Sequence, residues 1–222
     1  MQDPLPAAAG IIVEAELRTL LGALATTPPG RRLTVGIAGP PGAGKSTVAE
    51  ALAAALDRAC GRTIAAVVPM DGYHLSNAVL DARGLRAVKG RPETFDAESF
   101  AALLPRVRDG ESPLPVPTFT RDLDEPTPGG IVLGGNHRIA LVEGNYLYLR
   151  SGSWPAAAAM LDRRVFLMVD REACRGRLLA RHVRFGKTPE HAARHVETVD
   201  LVNWDRIVGD FEPGSAVVYQ NG

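Results

Sequence analysis

Residues 39–46 read GPPGAGKS and stand directly between an apolar run, LTVGIA, and an alanine-rich stretch, STVAEALAAALDRA. This G-x-x-x-x-G-K-[ST] pattern constrains the fold more than any other feature, because its geometry needs a strand that turns sharply into a helix. Each residue type has its own task. Gly39, Gly42 and Gly44 let the backbone curl so that successive N–H groups point at phosphate oxygens, with Pro40, Pro41 and Ala43 completing the loop. Lys45 places a mobile ammonium on the terminal phosphates and the Ser46 hydroxyl ligates a magnesium ion. Thr47 follows in the first helical turn, whose positive dipole end faces the same charge. Average residue usage yields the four fixed positions by chance in roughly one chain of this length in a hundred, and more rarely still between a strand and a helix. The loop therefore implies a nucleoside triphosphate with Mg²⁺.

The chain has 222 residues, 45% hydrophobic and 23% charged, which predicts one domain spanning 1–222 around one core. Lys plus Arg equal Asp plus Glu at 25 each, so no global field recruits nucleic acid or an anionic membrane. No segment reaches the roughly eighteen uninterrupted apolar residues of a membrane span, and MQDPLPAAAG lacks the pattern of a signal peptide. These features predict a cytoplasmic protein without membrane insertion. Two distant cysteines, Cys60 and Cys174, suit reduced thiols better than a bridge.

Apolar residues Ile11, Ile12, Ala15, Leu17, Leu20, Leu21 and Leu24 recur at helical spacing, so residues 1–30 read as a leader and a helix that packs on the sheet and offers one homodimer interface. Then come a strand at 33–38, a helix at 45–59, and strands at 63–69, 138–143 and 164–169, with AVVYQ at 216–220 as an edge strand. Continuous apolar strands alternating with helices predict a three-layer α/β fold, its mainly parallel sheet covered on both faces and its ligands at the carboxyl ends of the strands. The stretch ESPLPVPTFTRDLDEPTPGG reads as an ordered active-site loop.

Two of these strands end on acids. TIAAVVPM runs into Asp71, and HRIALVEG ends on Glu143. A carboxylate beside the phosphates can orient an acceptor hydroxyl and take its proton, which makes Asp71 the candidate general base. Glu143, with Ser46 and Asp71, is the candidate magnesium set. Asp96 caps the helix that follows KGRPETFD, while Lys89 and Arg91 offer contacts to a polar or anionic substrate. Tyr73, His74, Arg91, Phe119, Arg121, Asn145 and Tyr146 are candidate acceptor-pocket residues. Arg177, Arg181 and Arg184 share one helical face, as a lid over 171–203 that delivers guanidinium groups to the transferring phosphoryl group would need. His191 and His195 stand four apart, without the following Glu of a zinc protease.

The ordered set GPPGAGKST, MDGYHL, KGRPETFD, PTFTR, VEGNYL and an Arg-rich lid resembles the phosphate-loop kinase family that includes uridine kinase, phosphoribulokinase and bacterial type I pantothenate kinase. It is most similar to the bacterial nucleoside kinase-like, or fructose-transport-associated, subgroup. The resemblance runs from about Leu33 to Asn203 and implies the P-loop NTPase fold, ATP and Mg²⁺, and a small alcohol as acceptor. It implies Asp71 as the catalytic aspartate, Glu143 as the strand-end acid, Arg177 and Arg181 as lid arginines, and Asn203 near the nucleotide base. Thr120 before Arg121 departs from the acid or Ser of many relatives, so the acceptor does not transfer with the fold. A nucleoside, a sugar and a pantothenate-like alcohol all remain open. The competing class is a regulatory nucleotide-binding protein with slow hydrolysis and no acceptor, which the absence of an N-K-x-D element and of a transporter-ATPase signature disfavours.

Overall fold

In the computed structural model, which describes residues 6–221, five parallel strands form one sheet in the order β2-β5-β1-β6-β7. The strands are β1 (Leu33–Ala38), β2 (Ala65–Pro69), β5 (Ile139–Gly144), β6 (Arg163–Met168) and β7 (Val217–Gln220). Every residue of β1 and β5 is buried, the outcome expected of strands covered on both sides. Side-chain alternation divides them between two cores. Val35, Ile37, Ile139, Leu141, Val165 and Leu167 pack with helices α1 (Ala7–Thr26) and α2 (Lys45–Cys60). Ala38, Ala140, Val142 and Phe166 point the other way, towards α4 (Ala97–Arg108) and α5 (Trp154–Ala159). Helix α3 (Asn77–Ala82) follows β2, and α6 (Arg171–Arg184), α7 (Pro189–His195) and α8 (Leu201–Asp210) precede β7. A π-helical turn, Val196–Asp200, joins α7 to α8.

The expected first helix lies at Ala7–Thr26 and packs on α2. Its buried Glu16 pairs with Arg163 of β6 and accepts from the Tyr219 hydroxyl of β7 at 2.7 Å, which ties it to the sheet edge. Ile11, counted with the apolar stripe, is 68% exposed.

The proline-rich stretch differs from the expected loop. It forms an antiparallel hairpin outside the main sheet, β3 (Leu114–Thr120) with β4 (Glu125–Leu133). A two-stranded ribbon consists of edges, so Pro115, Pro117, Pro126 and Pro128 are tolerated despite lacking donors. Leu114, Val116 and Leu133 anchor it in the second core. The hairpin lies so close to the turn after β2 that a Cβ on Gly72 would sit 2.2 Å from the Pro117 carbonyl oxygen.

Candidate active site

Register places the acids. Glu143 lies level with Ile37 of β1 and Pro69 of β2, so the carboxyl ends of three adjacent strands converge. The phosphate loop leaves β1 there, and Asp71 follows β2 by two residues in a 3₁₀ turn. Gly39 has φ 151°, and a Cβ on it would meet the Leu167 carbonyl oxygen at 2.3 Å, so only glycine lets the loop pass β6.

Lys45 is buried and folds back to donate to the Pro40 carbonyl at 3.0 Å. Burial lowers its pKa, opposed by the fields of Glu143 and Asp71. The loop is braced from outside by residues remote in sequence. Asn221 Nδ2 donates to the Ala43 carbonyl at 2.6 Å, and Arg177 donates to the carbonyls of Gly42 at 3.2 Å and Asn221 at 3.0 Å. The thiol of Cys174 donates to the Pro41 carbonyl at 2.8 Å. Asn221 carried no sequence signal, because its place is set by β7 pairing with β6.

Ser46 Oγ donates to Glu143 Oε1 at 3.3 Å. Burial pushes the Glu143 carboxyl up to about 7, the negative field of Asp71 adds to this, and Lys45 opposes it. Asp71 is half-buried, with Arg121 of the hairpin 4.0 Å from its carboxylate. These oxygen donors suit a hard cation, and a cation beside Glu143 would restore its ionised form.

A cavity of about 480 Å³ opens over this floor. Pro41, Gly42, Lys45, Ser46, Asp71 and Glu143 line it, as do His74, Phe119, Arg121, Asn145, Arg181 and Asn203 among the residues singled out from sequence. His74 Nδ1 lies 2.8 Å from the Asp71 carbonyl, and its ring stands 4.0 Å from Phe95 and 4.7 Å from Phe119 between centroids. Arg181 lines the cavity from α6, its pKa lowered by burial. Asn203 Nδ2 donates to the Gly90 carbonyl at 3.0 Å, and the same carbonyl accepts from the Tyr146 hydroxyl.

Other candidates lie behind the wall. Tyr146 is fully buried, Tyr73 packs edge-on against Phe100 at 5.2 Å, and Arg91 donates to the Thr198 carbonyl at 2.8 Å. Pro40 and Ala43 belong to the loop core, and Thr47 is solvent-exposed in the first turn of α2. Arg184 is exposed as well. Residues missed from sequence also line the cavity: Arg86, Asp124, His182, Phe185, Lys187 and Asp200. The partner of His195 is His182, at 4.8 Å between ring centroids, not His191; the π turn after α7 is what presents Asp200 to that pair.

A phosphate loop after the central strand, a strand-end acid on each of two neighbouring strands and an arginine helix above them define a P-loop nucleotide-binding protein of the kinase class. A Schizosaccharomyces pombe protein provisionally named uridine kinase C227.14 is 34% identical over 182 residues, covering 78% of this chain and 77% of that one. The ATP-dependent kinase-like protein notR' of Aspergillus versicolor is 36% identical over 162 residues, 68% of this chain and 94% of that one. The crystal structure of a protein from Silicibacter sp. TM1040, provisionally described as a fructose transport system kinase, superposes with a TM-score of 0.82 at 34% identity, covering 93% of this chain and 98% of that one. The family model for methylmalonyl Co-A mutase-associated GTPase MeaB matches residues 11–83 only. The chain belongs to the uridine kinase-like family of P-loop kinases, enzymes that act on small molecules. Among the described residues no helix is long and apolar enough to cross a membrane.

Proposed function

We propose that this kinase moves the γ-phosphoryl group of ATP to a hydroxyl of a small metabolite, with Asp71 as general base. The observation that carries this reading is the convergence of Asp71, Glu143 and buried Lys45 at one end of the sheet, under a cavity that Arg181 closes from above. Asp71 orients the acceptor hydroxyl and takes its proton as the oxygen–phosphorus bond forms and the bond to ADP breaks. Lys45 and Arg181 stabilise the charge on the transferring group; in a poorly hydrated site these fixed cations act more strongly than in water. Ser46, Asp71 and Glu143 would hold Mg²⁺, which neutralises charge on the phosphate oxygens when bound. Arg177, engaged with two carbonyls, braces the loop rather than reaching the phosphates in this state.

The test is coupled ADP release with ATP and Mg²⁺ against nucleosides, ketohexoses and pantothenate, repeated with Asp71→Asn. One alcohol raising turnover well above the acceptor-free rate, with loss in Asp71→Asn, supports the reading. Slow turnover indifferent to acceptor and to Asp71 sinks it, in favour of the GTPase-like alternative hinted at by the match over 11–83. That match ends before Glu143 and the lid, so it covers the phosphate loop and little of the transfer apparatus.

A further inference from the structure

Away from the phosphate loop the same cavity holds a second charged neighbourhood, which the transfer chemistry leaves unused. It comprises Arg86, Lys89, Asp124, His182, Lys187, His195 and Asp200. Asp124, at the hairpin tip, pairs with Lys89 at 3.1 Å and with Arg86 at 3.5 Å. Asp200 is taken by His182 at 2.8 Å. Lys187, half-buried in the turn between α6 and α7, has no carboxylate within ion-pair distance and no side-chain hydrogen bond among the described residues. Three basic side chains, Arg86, Lys89 and Lys187, thus face two carboxylates, each already engaged. Burial lowers the pKa of Lys187 and holds that of His195 down at about 4, so the imidazole is neutral and adds no charge of its own.

The donor atoms of His182, His195 and Asp200 lie within 4.8 Å of one another, a spacing a metal ion could tighten. Lys187 argues against this: its ammonium acts on the His195 ring, and a bound cation would be repelled. An anion is the complementary ligand. On the kinase reading the nucleotide's phosphates go to the loop, Lys45 and Arg181, and its base and ribose are uncharged, so it does not supply this anion. The acceptor can. Lys89 Nζ stands 5.1 Å from the centre of the Phe119 ring, Phe119 stacks 4.7 Å from His74, and His74 rests on the Asp71 backbone. Lys89, which also donates to Asn77 Oδ1 at 2.6 Å, therefore stands two rings away from the proposed base, and Lys187 lines the same cavity.

Resting on the kinase reading, we propose that the acceptor alcohol carries a carboxylate or phosphate group that docks on Lys187 and Lys89 while its hydroxyl lies at Asp71. Its negative group gives Lys187 the partner it lacks, and the rings of His74 and Phe119 cover the carbon chain between. Neutral alcohols of the same length leave Lys187 unpaired and are discriminated against.

The test uses two matched trios: glycerol, D-glycerate and glycerol 3-phosphate, then ribose, ribonate and ribose 5-phosphate. Each is titrated calorimetrically into protein saturated with Mg²⁺ and a non-hydrolysable ATP analogue, and each is assayed for acceleration of ADP release from ATP. In at least one trio an anionic member should bind about 10- to 100-fold more tightly than the neutral one, the size of one charge-assisted hydrogen bond. The carboxylate and phosphate arms then identify the group. Lys187→Gln should erase the preference and Lys187→Arg retain it, with unchanged melting temperatures excluding misfolding. Equal binding of neutral and anionic members, no binding of any anion, or a preference that survives Lys187→Gln overturns the proposal. The kinase reading fails on different data, namely ADP release indifferent to every alcohol and to Asp71→Asn.

Discussion

Lys45 and Glu143 are both buried at the floor of the cavity, and burial disfavours the charge of each while the other's field supports it. An exposed carboxyl titrates at 4.5 and the native Glu143 at about 7, so the folded state holds this proton more tightly than the unfolded chain. Between those values stability falls as pH rises, by on the order of 3 kcal/mol in total, and is flat above them. Thermal melts from pH 5 to pH 8 should show this decline in the wild type and a shallower one in Glu143→Gln. Asp71 makes a different demand, being half-open to solvent and facing Arg121. Asp71→Asn should lower kcat by about 10²- to 10⁴-fold, the usual worth of a general base, while ATP affinity by titration stays near wild type. Both acids were legible as residues, because an apolar strand that ends in Asp or Glu is written in the sequence. Their shared burial was not, since it depends on which strands become neighbours.

Among the elements, α6 divides its work by helical face. Arg181 enters the cavity, whereas Arg177 holds the carbonyls of Gly42 and Asn221. Arg181→Met should lower kcat by about 10²- to 10³-fold with little change in melting temperature. Arg177→Met should cost about 1–3 kcal/mol of stability by removing two charge-assisted hydrogen bonds to carbonyls, with a smaller effect on kcat. Steady-state kinetics and melts on the two variants check this crossing of effects. The hairpin is the element that sequence periodicity disguised, because four prolines read as a loop when strand pairing is not visible. Its position depends on Gly72, where a methyl group would strike the Pro117 carbonyl oxygen at 2.2 Å. Gly72→Ala should cost about 1–3 kcal/mol and lower the melting temperature by roughly 3–10 °C. It should also raise the acceptor KM, because Phe119 and Arg121 ride on β3 and the turn after it.

Across the whole molecule, the first helix and the last strand meet at one sheet edge. Glu16 of α1, Arg163 of β6 and Tyr219 of β7 share one polar knot, and the next turn of chain carries Asn221 to the phosphate loop. Glu16→Ala should destabilise by about 2–3 kcal/mol in urea titration, less than a fully buried pair because Arg163 keeps part of its side chain in solvent. Glu16→Leu combined with Arg163→Met should recover most of that loss. What the sequence by itself determined was local: the phosphate loop, the strands around it, the acids at their tips, and the cap at Asp96 that the Ser99 amide confirms at 3.0 Å. Those features follow from residue types within one turn or strand, where spacing dictates geometry. Only the tertiary structure decided which arginine faces the cavity and which braces the loop. It also removed Tyr73, Arg91 and Tyr146 from the pocket surface and brought Lys187, His182, His195 and Asp200 into it. Such choices depend on strand order, on the π turn after α7 and on the packing of two cores, contacts between residues too far apart in the chain for any local pattern to record.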